Sequence, residues 1–212
     1  DTDFFSSESV NDRKDEKEKL MRGAGIENND LVVTYIGSLK TWYLPEKVFS
    51  LMKKILDKRS DAKFLFITHE TRSYIEEWAE QFNINKSNLI IKAAQRKDMP
   101  LYISMSSFSV FFIKPVFSKR ASSPTKMGEL MALGVPYIAN SGVGDVKWIA
   151  QNYQVGMILD NFKEETMQNA VNNMEQLINA NSEKLVEAAK DFYSLKKGVN
   201  TYYEVYKRLN EV

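Results

Sequence analysis

Between Lys119 and Glu129 the chain places three cations (Lys119, Arg120, Lys126), three hydroxyls (Ser122, Ser123, Thr125) and one carboxylate around Pro124. Ser123 reads as a helix N-cap and Pro124 as the first helical residue, where its missing N–H costs nothing. The free backbone N–H groups and positive dipole end then face a basic loop, which makes an anion site. Lys126 adds a cation one turn in, and Glu129 follows at i+3 on the same face. A carboxylate beside bound phosphate is unfavourable unless it has another task. Accepting hydrogen bonds from a ribose diol is one that fits. Gly134 suits a left-handed residue past the helix end and Pro136 prevents continuation, so the helix is predicted over Pro124–Leu133. An ordinary capped helix with a surface Lys126–Glu129 pair of little energetic weight would look the same. The surrounding chain decides between the two.

Composition narrows the function classes. A net charge of +1 over 212 residues leaves no basic face for nucleic acid. Absence of cysteine excludes a disulfide framework and thiolate metal sites, and fits a reducing cytosol. The single histidine, His69, argues against a His-based metal site or a Ser-His-Asp triad and reads as a solvated loop residue. No apolar run approaches the ~18 residues of a membrane span, and no signal-peptide pattern appears. The expected location is cytoplasmic, with the cytoplasmic face of a membrane left open. The length allows one large domain or one and a half. The start at Asp1, without Met and inside structured-looking sequence, reads as part of a longer chain.

Along the chain, the mixed-charge run 12–19 reads as a solvated helix through Met21. Continuous apolar runs then predict buried strands at 31–36, 64–67, 89–91, 108–113, 137–139 and 155–159. Helical spacing predicts helices from Pro45, over 71–81, 99–104, 146–151, 163–178 and 182–193. Alternating strands and helices indicate an α/β fold with a Rossmann-like parallel sheet covered on both faces, followed by C-terminal helices. Ligands of such sheets bind at the carboxyl ends of the strands. Four exit loops, 37–40, 95–97, 114–123 and 141–145, therefore share one rim, and this convergence favours a nucleotide site at Pro124. Tyr202, Val205, Tyr206 and Leu209 form a last apolar stripe at helical spacing.

These motifs resemble the C-terminal, donor-binding half of a GT-B fold glycosyltransferase, most similar to the retaining family 4 (group 1) enzymes. Asp1-Thr2-Asp3-Phe4-Phe5 is similar to the family's interdomain crossing, and Gly37-Ser38-Leu39 to its Gly-Arg-Leu turn. Ser122 to Glu129, followed by Ala132-Leu133-Gly134-Val135-Pro136, matches the second half of its Glu-x7-Glu motif. Gly142-Val143-Gly144-Asp145 resembles the Gly-rich loop after the next strand.

The resemblance implies transfer of a sugar from a nucleotide-diphosphate donor, of UDP or GDP type left open, to a glycan, lipid or small-molecule acceptor. Retention at the anomeric carbon is likewise implied by the resemblance alone. It implies no metal and no other cofactor. Glu129 would hold the ribose, and the backbone N–H groups of Ser123, Thr125 and Lys126 the diphosphate. Gly37, Ser38, Lys40, Ser122 and Pro124 would line the donor site, with Arg96 and Lys97 at the base. Three departures stand out: Ala121 replaces the first Glu of the pair, Ser38 the Arg, and Tyr43 a Lys. Lys40, Lys119, Arg120 and Lys126 are the cations left to compensate the two phosphates, with Lys119, Arg120 and Lys126 stabilising the leaving diphosphate.

Residues 1–30 are read as interdomain segment and helix, 31–195 as donor-binding domain, and 196–212 as a helix returning to an N-terminal acceptor domain, the expected partner. Membrane attachment of the parent enzyme would lie outside this segment. A non-catalytic nucleotide-binding or assembly module of the same fold, or a sugar-nucleotide epimerase, remains the alternative.

Overall fold

The computed structural model describes residues 1–210. In chain order the elements are α1 (Ser7–Asn11), α2 (Lys14–Ala24), β1 (Val32–Ile36), α3 (Pro45–Lys58), β2 (Lys63–Ile67), α4 (Arg72–Gln81), β3 (Leu89–Lys92), α5 (Met99–Ile103) and β4 (Phe108–Phe111). Then follow α6 (Thr125–Ala132), β5 (Tyr137–Asn140), α7 (Val146–Tyr153), β6 (Met157–Leu159), α8 (Glu164–Asn172), α9 (Met174–Ile178), α10 (Ser182–Phe192) and α11 (Leu195–Asn210).

The six strands form one parallel sheet in the order β3-β2-β1-β4-β5-β6. Period-two alternation divides each strand between two cores. Val32, Ile36, Leu65 and Phe111 pack under α5, α6, α7 and α10. Val33, Tyr35, Phe64 and Phe66 pack under α3, α4, α8 and α9. Burial on both faces explains why the strands read as unbroken apolar runs. The chain winds outward from β1 to β3, returns, and winds outward again from β4. The crevice between the carboxyl ends of β1 and β4 is therefore the topological switch point.

One helix goes beyond the expectations, and two of them need correction. The additional helix is α1, closed by a capping box in which Ser6 accepts from Ser9 N–H at 3.2 Å and Ser9 Oγ receives Ser6 N–H at 3.4 Å. The 163–178 run breaks at Asn173, whose side chain donates to the Asn169 carbonyl at 2.8 Å and so competes with helix continuation. The central helix starts at Thr125, with Pro124 rather than Ser123 at the cap. Pro124 has ψ 109° and no side-chain cap bond forms. Its C-terminus follows expectation: Gly134 has φ +68°, and Val135 N–H reaches the Leu130 carbonyl at 2.9 Å.

Residues before β1 pack onto the domain, with Phe5 and Ile26 both in the core. At the other end, the large apolar side chains of α11 are exposed, including Leu195, Val199, Tyr202, Tyr206 and Leu209. Deleting residues 196–212 is therefore expected to leave Tm within about 2 °C of the intact chain by calorimetry, as for changes to other unpacked surface. A drop of ten degrees would show that this helix supports the fold. No described helix is long and apolar enough to cross a membrane.

Candidate functional site

The site is assembled from four strand ends and the start of α6. Gly37 ends β1 with φ +96°, a conformation that needs glycine. The buried Asn140 at the end of β5 donates to the Ile113 carbonyl (2.9 Å) and accepts from Ile113 N–H (2.8 Å). It thereby locks the exits of β4 and β5 together. The loop that carries Lys119–Ser123 is held from the far side by Gly144, whose N–H donates to the Lys119 carbonyl at 3.0 Å.

Glu129, Thr125 and Gly128 of α6 line a cavity of about 260 Å³ with Arg96, Tyr193, Phe5 and Asp1. Within it the Arg96 guanidinium stands 3.7 Å from the Glu129 carboxylate. Arg96 also lies 5.3 and 5.5 Å from the ring centres of Phe4 and Phe5. Burial raises the Glu129 carboxyl above its ordinary range, and the Arg96 charge opposes that shift. Gly128 admits the neighbouring aromatic ring: an added Cβ would stand 2.6 Å from Tyr193. The buried Tyr193 hydroxyl points toward Ser123 without completing a regular hydrogen bond. The Arg96–Asp98 turn is fixed from behind. Arg13 donates to the Lys97 carbonyl and to the Asp98 carboxylate, both at 2.6 Å.

A second cavity, about 300 Å³, lies beside the first at the ends of β1, β2 and β3, lined by Gly37, Ser38, Thr68, His69, Glu70, Ala94 and Met99. Glu70 is its organising acid. It accepts from Ser38 Oγ at 2.7 Å and pairs with Lys40 at 2.6 Å, and these bonds hold its carboxyl below the ordinary range. Sequence reasoning passed over Glu70 and the β2 exit, although the rule that placed four loops on this rim applies equally to a fifth.

The cations are dispersed. Lys119 Nζ lies 4.6 Å over the ring of exposed Trp42, and Arg120 sits 6.0 Å over Phe117. Lys126 was expected to supplement the start of its own helix. It turns instead across the switch point, where its Nζ donates to the Ile36 carbonyl at 2.6 Å and lies 4.2 Å over the Tyr43 ring. Ser122, Ser123 and Pro124 form the loop leading into α6, so the structure brings Thr125, Glu129 and Arg96 together at one cavity. Gly37 and Ser38 line the other, Lys40 is tied to it through Glu70, and Lys126 reaches its edge at the Ile36 carbonyl.

A helix start, a half-buried acid paired with an arginine, and a glycine turn at a switch point suit a ligand carrying both phosphate and vicinal hydroxyls. Comparison with known proteins gives the same direction. The glycosyl transferases group 1 family matches residues 16–192. No curated protein matches the chain. Among solved structures, a glycosyltransferase from Rickettsia africae ESF-5 is similar with TM-score 0.72 and 15% identity, over 98% of this chain and 55% of that one. A point mutant of S. aureus TarM, in complex with fondaparinux, alpha-GlcNAc-glycerol and UDP, gives TM-score 0.65 and 15% identity, over 82% and 35%. The C-terminal domain of LpcC, a glycosyl transferase group 1 family protein from Francisella tularensis, gives TM-score 0.63 and 13% identity, over 92% and 98%. The chain thus spans about half, or less, of the larger structures it matches, and nearly all of the isolated C-terminal domain. With the α/β sheet, the switch-point crevice and the match over most of its length, the chain belongs to the glycosyl transferases group 1 family.

Proposed function

We propose that this chain is the donor-binding domain of a glycosyltransferase that moves a sugar from a nucleotide-diphosphate sugar to an acceptor. The observation that carries the reading is Glu129. It opens into a cavity at the sheet's ligand edge, one turn inside α6 and beside Arg96. Its carboxylate accepts the two ribose hydroxyls, and Arg96 lies against the base. The free N–H groups at the start of α6 take the diphosphate, with the Lys119–Arg120 loop closing over it. The UDP in the TarM structure accords with a nucleotide donor in this family.

Bond breaking at the anomeric carbon leaves negative charge on the departing diphosphate. Positioned N–H dipoles and cations stabilise that charge in place. Acceptor binding falls to a companion N-terminal domain, onto which the apolar stripe of α11 docks. Residues 31–195 then form the donor unit and 196–212 the returning helix.

Calorimetric titration with UDP, GDP and their sugars tests this reading, a hyperbolic isotherm for one nucleotide being the expected result. Reversing both loop charges, Lys119→Glu with Arg120→Glu, is expected to weaken that affinity about 100-fold, roughly tenfold per lost charge-assisted contact. Unchanged affinity would remove the loop from the site.

A further inference from the structure

Lys126 is in an unusual position for an ammonium. It is half-buried, and its Nζ is satisfied by one main-chain oxygen, that of Ile36, and by the faces of two aromatic rings, Tyr43 at 4.2 Å and Tyr35 at 5.4 Å. Aromatic faces and a carbonyl attract a cation, but they do not neutralise it. The other cation of the β1 exit, Lys40, is already paired with Glu70 at 2.6 Å. An unneutralised buried charge is expensive, so a fold keeps one where a ligand supplies the missing counter-charge, or keeps it uncharged until then.

The groups facing it can be named element by element. From β1 comes Tyr35; from the β1–α3 connection, Tyr43; from α6 itself, Glu129, one turn along and turned toward Arg96. Glu70 on the β2 exit lies behind Tyr35, spent on Lys40 and Ser38. Among the described residues the one negative charge that favours a charged Lys126 is that of Glu129, and it is outweighed: burial draws the amine down to about 7.

Gly37 makes the arrangement possible. An added Cβ there would stand 3.3 Å from Lys126 Nζ, tighter than ordinary contact, so only a glycine lets the amine sit this close to the turn. That turn lines the Gly37–His69 cavity, and Thr125 and Glu129, the neighbours of Lys126 on α6, line the other; a diphosphate joining a nucleoside to a sugar would pass from one to the other along this edge.

We propose that the diphosphate of the donor is met by Lys126 from across the switch point, and that Lys126 takes up its proton from solvent as the anion arrives. The inference rests on the donor-site reading above and adds a proton to it. In the empty domain the neutral amine sits on Tyr43 without a counter-ion penalty. With the diphosphate bound, the amine gains one proton and becomes the ammonium nearest the β1 turn. It is then in place for the charge that appears when the glycosidic phosphate bond breaks. No bond to Lys126 forms or breaks besides N–H. When nucleoside diphosphate leaves, the proton returns to solvent.

The experiment is calorimetric titration of the chain with UDP and GDP at pH 8, where the nucleotide phosphates are already ionised. Runs in HEPES and in Tris, whose ionisation enthalpies differ, give the protons exchanged. An amine drawn down to about 7 is mostly neutral at pH 8, so the expected uptake is most of one proton per nucleotide. Lys126→Arg carries a permanent charge and is expected to bind with uptake near zero. Lys126→Met is expected to bind at least tenfold more weakly, with no uptake. Nucleotide binding by the unaltered chain without proton uptake would overturn this inference and leave the donor-site reading standing. Uptake that persists in Lys126→Arg or Lys126→Met would move the proton to another group and overturn it equally. Failure of the unaltered chain to bind either nucleotide would overturn the donor-site reading, and this inference with it.

Discussion

Glu129→Ala is expected to reduce nucleotide affinity by two orders of magnitude or more while leaving the fold intact. Two charge-assisted hydrogen bonds to a ribose diol contribute on the order of 3 kcal/mol together, which is more than a hundredfold in Kd. The carboxylate sits half-buried against a mostly exposed Arg96 at 3.7 Å, so the pair adds little to stability. Burial already disfavours its charge in the folded state. Loss of that acid is therefore expected to leave Tm unchanged or slightly higher. Calorimetric affinity and a melting scan on the same preparation separate the two effects. Loss of both binding and folding would show Glu129 to be structural, and retention of binding would remove it from the ribose.

The pH dependence has a defined sign. The Glu129 carboxyl is raised, so acidification protonates it sooner than an exposed glutamate and would remove the acceptor proposed for the ribose. Affinity is expected to fall on the acid side as pH passes through that raised value. On the alkaline side it falls as protonating Lys126, with its amine near 7, becomes harder. The two limbs belong to residues three apart on one helix, and the Glu129→Ala chain should lose the acid limb alone.

The second large effect is on stability. At Gly144 an added Cβ would overlap the Ser122 carbonyl oxygen, and the residue has φ +39°. The atoms it would meet belong to the Ser122 backbone, so no flexible side chain can yield. Gly144→Ala is expected to cost about 3 kcal/mol from clash and backbone strain together. That corresponds to a fall in Tm of about 8 °C for a domain of this size. Because the Gly144 N–H also holds the Lys119 carbonyl, the basic loop should shift and nucleotide affinity should fall with it. Gly23→Ala is the control. Nothing lies within 4 Å of a Cβ there, and alanine suits a helix interior better than glycine. A Gly144→Ala melting point equal to that of Gly23→Ala would show that the two loops are not coupled.

Much of this protein was legible in its residues because the signals are local. Apolar runs such as Phe64–Ile67 and Tyr137–Ala139 could only be strands buried on both faces, and parallel pairing follows once helices alternate with them. Gly134 marks its helix end because few other residues adopt φ +68° cheaply. The rim on which the exit loops meet followed from the rule that a parallel sheet presents its ligands at the carboxyl ends. Local cues misled where two were nearly equal. Ser123 had the right chemistry for a cap, but Pro124 is held extended and takes that place. Asn173 looked like one more helical residue until its side chain turned back on the Asn169 carbonyl.

The amino-acid order alone determined the layers, the parallel sheet and the identity of the basic, hydroxyl-rich approach to α6. Only the packed structure decided which charges meet. Lys126 lies across the sheet on Tyr43, Arg96 faces Glu129, and Lys40 is taken by Glu70, partners that stand far apart along the chain in every case. A long flexible side chain goes where neighbours from other strands leave room and an acceptor. Those neighbours are set by strand order and register, which no short window of sequence contains.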